Sequence, residues 1–227
     1  EDKVLVVYGA GQAAALLDAN AIQTGERVFA FDAPVARARR ITVEDPHREL
    51  AAVYQPQGAS SRVYLIDPLG GTVEQVHLQD TFTSLEGPED EALLVAFHPR
   101  LAQSDTPGLR VIRTGFDQTN GRLEHRVATY SLDMPLAVHA FRGQDATMVA
   151  ALDDSRDAFV LNLDTGVYAA MQVGRAPTQA GWVPGTDWTW VQHPHPLGSI
   201  TLARADRFDP QHAVVLEGFI LDGLLDP

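Results

Sequence analysis

The sequence predicts an all-β fold, a β-propeller made of four-stranded antiparallel blades, about five of them in this chain. Two observations predict it. A short apolar run recurs with anchors at Val7, Val53, Val95, Val149 and Val191, spaced 46, 42, 54 and 42 residues apart. Around each anchor, further short runs are separated by turn residues, so the repeating unit is several strands and not a helix pair.

The anchor runs are Val4-Leu5-Val6-Val7-Tyr8, Leu50-Ala51-Ala52-Val53-Tyr54, Leu93-Leu94-Val95-Ala96-Phe97, Met148-Val149-Ala150-Ala151-Leu152 and Trp188-Thr189-Trp190-Val191. A second run follows and usually closes on Asp: Asp18, Asp67, Asp164 and Asp206, which lie 11, 14, 15 and 15 residues after their anchors. An Asp at a strand end accepts a hydrogen bond from the backbone two residues on and so starts a turn. The third copy departs from this, with Val111-Ile112-Arg113-Thr114-Gly115 and no Asp. Third runs lie at 28–31, 73–76, 127–130, 168–171 and 213–216. Candidate innermost strands lie at 41–43, 82–85, 136–141, 179–183 and 219–225, which makes four runs per unit. The long third spacing is assigned to two polar loop insertions, 98–108 and 116–124, both rich in turn residues.

The whole chain, 1–227, reads as one domain without an interdomain linker. It begins at the second strand of a unit and ends on a first strand. This offset predicts either a ring closed by its own termini, with 219–225 beside the strand near Val4, or part of a larger ring. The opening Glu1-Asp2-Lys3 has no starting Met or signal segment and reads as a processed or excised piece.

With 30 acidic and 17 basic residues the net charge is -13, which opposes binding to phosphate backbones; no nucleic-acid partner is expected. No apolar stretch approaches the roughly 18–20 residues that span a bilayer. The absence of cysteine removes disulfides, thiolate catalysis and Cys-based zinc sites, and is compatible with export.

Three motifs invite chemistry. Gly9-Ala-Gly11-Gln-Ala-Ala14 after an apolar run, with Gly25 and Asp32 beyond, has the spacing of a dinucleotide-binding turn, in which Asp32 would hold ribose. Asp18 on the would-be helix and the absence of helical periodicity afterwards favour a hairpin, and no cofactor is assigned. Gln192-His193-Pro194-His195-Pro196 offers an H-x-H pair that could ligate a metal. The prolines suit a turn instead, and Tyr54-Gln55-Pro56 and Phe97-His98-Pro99 repeat the arrangement, so no metal is assigned. Trp182, Trp188 and Trp190 are aromatic, and Trp188 and Trp190 share a strand face that suits either a ligand platform or the packing between blades. Asp45, Glu86 and Asp187 lie near strand ends where paired glycosidase carboxylates would sit, with no spacing that singles them out, so no catalytic residue is assigned. If this region binds a ligand, His193, His195, Trp188 and Asp187 are the residues to do it.

Runs such as Arg62-Val-Tyr-Leu-Ile-Asp67 and Ala158-Phe-Val-Leu-Asn-Leu-Asp164 resemble the strands of β-propeller repeat proteins of the broad WD40/YVTN-like kind, especially bacterial surface and periplasmic ones. The Trp-Asp and Gly-His pairs of true WD40 repeats are absent. The resemblance implies a non-enzymatic platform that binds a protein partner or serves as a scaffold subunit in a larger bacterial assembly. It implies a periplasmic or cell-surface site, with the cytoplasm as the alternative. A carbohydrate-active propeller, lectin or glycosidase, is the rival class.

Overall fold

The computed structural model describes residues 3–8, 11–20, 25–44, 47–88, 91–142, 145–194 and 196–218. Among them every helix or strand is a strand, nineteen in all. The first sheet holds β1 (Lys3–Val7), β2 (Gly11–Asp18) and β3 (Gly25–Val35). The second holds β4 (Arg37–Glu44), β5 (His47–Tyr54), β6 (Arg62–Asp67) and β7 (Thr72–His77). β8 (Ser84–Glu86), β9 (Leu93–His98), β10 (Gly108–Asp117) and β11 (Arg122–Ser131) make the third. β12 (Leu136–Arg142), β13 (Thr147–Leu152), β14 (Asp157–Asn162) and β15 (Tyr168–Gln172) make the fourth, and β16 (Gln179–Trp182), β17 (Trp188–His193), β18 (Ser199–Arg204) and β19 (Val214–Glu217) the fifth. In every sheet the strands lie in chain order and pair antiparallel, which is the blade pattern that the repeat predicts.

The chain divides into two compact units, Glu1–Leu132 with the first three sheets and Asp133–Pro227 with the last two. In the first unit the second sheet is buried on both faces. Leu50, Ala52 and Tyr54 of β5, with Val63 and Leu65 of β6, join a core with Leu94, Ala96 and Ile112 of the third sheet. The alternate residues Ala51, Val53, Tyr64 and Ile66 join a second core with Ala14, Leu16, Phe29 and Phe31 of the first sheet. A strand buried on both sides has no polar face, and this is why β5 and β6 read as continuous apolar runs and not as alternation. In the second unit Val149, Ala151, Val160 and Met171 of the fourth sheet pack with Val191, Ala203 and Phe208 of the fifth or its turn.

The structure corrects the sequence reading in several places. The first sheet has three strands among the described residues, not four, and the run at 219–225 expected to complete it lies outside them. The innermost run at 82–85 becomes the three-residue β8, while Phe82 is a buried core residue in the connection before it. The insertion at 116–124 is no loop: β10 and β11 are ten residues each, and only 118–121 turn. Alternation within a polar-looking stretch permits this, since Thr114 and Leu123 are buried and Phe116 packs against the core that Ile112 and Leu123 belong to. The missing strand-end Asp of this copy is therefore Asp117, whose carboxylate accepts from the Thr119 N–H at 2.8 Å. Asp18 and Asp67 start turns as expected, the latter accepting from Leu69 and Gly70. In the fourth sheet Asn162 starts the turn in place of Asp164, because β14 ends earlier than its apolar run suggests. In the fifth, β18 ends at Arg204, Asp206 lies inside the turn closed by the Arg207 N–H on the Arg204 carbonyl, and Asp209 starts a further turn.

Val149 is fully buried in β13, paired with Ala140 and Val160. Val149→Asp places an unpaired charge between two packed sheets and should cost several kcal/mol. Thermal or denaturant unfolding checks it, and the variant is expected to lose cooperative folding.

Candidate functional site

The residues singled out at 187–195 sit at and around β17. The six successive positions from Trp188 to His193 alternate half-buried and buried, with Thr189, Val191 and His193 on the buried side. Thr189 donates its hydroxyl to the Ala203 carbonyl at 3.0 Å, and Val191 enters the core shared with the fourth sheet. Trp188, Trp190 and Gln192 occupy the other face. Trp190 lies flat on Gly181 of the neighbouring strand: a Cβ there would come within 2.5 Å of the indole. The glycine is what lets the ring lie against the β16 backbone.

Asp187, half exposed, is a junction between sheets of the second unit. Arg142 at the end of β12 donates Nη2 to it at 2.5 Å, and Arg204 at the end of β18 lies 3.7 Å away. Arg142 also pairs with Asp145 at 3.1 Å and stands over the Trp182 ring, 5.3 Å from its centre. Trp182 in turn donates its indole N–H to the Ala140 carbonyl at 3.1 Å. Trp182 and Asp187 thus bind the fifth sheet to β12 of the fourth. His193 is buried, and both ring nitrogens are engaged: Nδ1 with the Arg175 carbonyl at 2.9 Å, Nε2 with the Thr201 hydroxyl at 2.9 Å. Since a carbonyl only accepts, Nδ1 carries the proton and Nε2 accepts from Thr201. Burial pushes the ring's pKa down, as does the Arg175 cation, although the bond to the Arg175 carbonyl works the other way. Geometry gives His193 a holding role inside the blade and leaves no ring nitrogen for a metal. His195 lies outside the described residues. Among those residues no three His, Asp or Glu side chains gather as metal ligands. Of the three carboxylates considered for glycosidase chemistry, Asp45 is likewise outside the described residues, Glu86 ends β8 half-buried, and Asp187 is held by arginine.

The first unit treats its dinucleotide-like motif the same way. β1 and β2 form a hairpin in which the Gly11 N–H donates to the Tyr8 carbonyl at 2.8 Å, and β2 continues as strand where the motif needs a helix. Gly9 lies outside the described residues. Asp32 accepts from Arg62 at 2.7 Å and from the Tyr64 hydroxyl, both on β6, so it ties the first sheet to the second. The Tyr64 hydrogen bond is the main cause holding the Asp32 carboxyl below its ordinary range.

Sequence reasoning missed a polar cluster between the second and third sheets. Arg110 on β10 is almost wholly buried and donates Nη2 to Asp80 at 2.6 Å, while Asp80 also accepts from the Ala102 N–H at 3.2 Å. His98 at the end of β9 donates Nδ1 to the Thr81 carbonyl at 3.0 Å. The signal was present, for Arg110 is a lone charge between Leu109 and Val111 in an apolar run, and a charge there must be paired once buried.

No protein-family model matches the sequence, and no curated protein is significantly similar to it. Among solved structures, Hsv2 of Kluyveromyces lactis aligns with a TM-score of 0.55 at 14% identity, over 89% of this chain and 58% of that one. Hsv2 of Kluyveromyces marxianus aligns with a TM-score of 0.52 at 13% identity, over 89% and 56%. This chain therefore spans little more than half the length of those proteins. At such identity the likeness concerns fold, and with the blade pairing it establishes a β-propeller repeat protein.

Two outcomes follow. Gly181→Ala forces the indole of Trp190 off the strand and should cost about 1–3 kcal/mol, the usual range for overpacking; a lower melting temperature with altered tryptophan emission is expected. NAD, NADP and FAD at millimolar concentration should leave the melting temperature unchanged, because a ligand that binds the native state must raise it.

Proposed function

We propose that this chain is a non-catalytic propeller module that binds a protein partner, working as a subunit of a larger bacterial assembly at the periplasmic or cell-surface side. The observation that carries this reading is how the chain distributes its side chains. Polar groups that could do chemistry, Asp32, Asp187 and His193, are taken up in joining strands and sheets. Large apolar side chains are instead left on edge strands and turns: Leu69 at 73% and Val28 at 66% exposure in the first unit, Tyr168 at 70% and Val167 at 69% in the second. Tyrosine and aliphatic side chains of this kind are what a protein interface covers. The acidic balance supports a partner that is not a nucleic acid. The resemblance of the strands to surface and periplasmic propellers supports the compartment, and the absence of cysteine is compatible with it.

A photo-crosslinking amino acid at Tyr168 or Leu69 in the producing cells tests the proposal. One recurrent protein adduct is expected, with cell fractionation reporting where it forms. The rival carbohydrate reading predicts no protein adduct but retention on, or cleavage of, a polysaccharide.

A further inference from the structure

His98 and His193 hold matching places in different blades. Each ends the second strand of its sheet, opposite Gly108 and Ser199 respectively. Each donates Nδ1 to a carbonyl of the connection that leads into the first strand of its own sheet, Thr81 before β8 and Arg175 before β16. The residue two places beyond the cross-strand partner, which shares a face with the imidazole, is where they differ. In the fifth sheet it is Thr201, whose hydroxyl meets Nε2. In the third sheet it is Arg110, and there Nε2 of His98 and Nη1 of Arg110 are both buried with no hydrogen-bond partner among the described residues.

This difference decides what a proton does. A hydroxyl gives or accepts a hydrogen bond, so Thr201 can turn its hydrogen away and accept from a protonated His193. A guanidinium has only donors. A proton on Nε2 of His98 would find no acceptor and would place a second positive charge beside Arg110. Among the described residues Asp80 is the carboxylate that acts on His98, and its two oxygens already serve Arg110 and the Ala102 N–H. On the loop that follows β9, Arg100 and Asp105 are paired with each other. Arg110 also donates Nε to the Thr129 hydroxyl at 3.3 Å, and the Phe82 ring stands 6.2 Å from the imidazole, edge-on.

We infer that His98 is an acid-operated latch on the junction between the second and third blades: neutral, it pins the connection at Thr81, and protonated, it is expelled and frees it. That connection carries Phe82 into the core, and through the Phe82 and Thr83 carbonyls it holds Gln57 and Gly58 of the second sheet's loop, so release would open the junction as a unit. Burial lowers the pKa of His98 in the folded chain, with Arg110 adding to it against the opposing pull of the Thr81 bond and Asp80. The unfolded chain then takes up the proton first. Stability is unaffected above the ordinary histidine range near about 6.5 and falls as pH drops below it.

Urea unfolding between pH 7.5 and 5 of the native sequence, His98→Asn and His193→Asn tests the latch, since Asn keeps an N–H near the place of Nδ1 and cannot titrate. For the native sequence the unfolding constant should rise by up to about tenfold per pH unit below 6.5. His98→Asn should remove the larger part of that rise and His193→Asn the smaller, since burial lowers the His193 ring as well while Thr201 can accept from its protonated form. A full acid response in His98→Asn, or its loss in His193→Asn, overturns the inference. Should His98→Asn fail to fold, NMR titration of the native histidines decides. Protonation of His98 only together with unfolding supports the latch, and its reversible protonation in the folded chain overturns it.

Discussion

Everything in this fold rests on burial of both faces of the middle strands. A blade of four short strands has few residues per strand, and alone it would expose as much apolar surface as it covered. The second blade shows the solution most fully. Successive residues of β5 and β6 go alternately to the core shared with the third blade and to the core shared with the first. At about 25 cal/mol per Å² of apolar surface, such two-sided burial outweighs what any surface ion pair supplies. It also sets what is tolerated at those positions, since neither face offers water to a polar group.

Polar side chains then act at the rims of these stacks. Arg27 reaches the carbonyls of Pro68 and Leu69 on the neighbouring blade, and Arg39 reaches Gly87 on the next. Arg48 is held between Asp67 of its own blade, at 2.5 Å, and the Phe116 ring of the following one, 3.9 Å from its centre. Arg142 makes a similar link in the second unit, to Asp187 and Trp182. These contacts are partly solvated, so each adds little stability. Their direction matters more, because an arginine fork and a ring face fix the angle at which one sheet meets the next. Four of the chain's 17 basic residues serve in this way.

The strands were legible in the sequence because two-sided burial writes uninterrupted apolar runs, as in Leu93-Leu94-Val95-Ala96 and Val63-Tyr64-Leu65-Ile66. The hairpin of the third blade was not, since its far half has only one side to bury and its polar letters look like a loop. Turn starts were misplaced where the apolar run outlasts the strand, so that Leu163 is buried beyond the end of β14 and Asn162 has already begun the turn. The candidate site was the least legible part. Residue type announced Asp187, His193 and Trp182 as reactive or adhesive. Only distances reveal that an arginine, a carbonyl and a hydroxyl had already claimed them.

The strict chain order of strands within each sheet has a consequence for how the molecule comes to be. Among the described residues every ladder joins neighbours in sequence, so each of these sheets can zip from its own hairpins. Among the described residues, what is non-local within each unit is the stacking of adjacent sheets. Such a chain is suited to assembly during synthesis, each blade within a unit emerging and settling onto the one before it, much as a repeat array grows by its nearest-neighbour interfaces. The vulnerable moment is then the interval when a completed blade still shows one apolar flank and its successor has not yet been made.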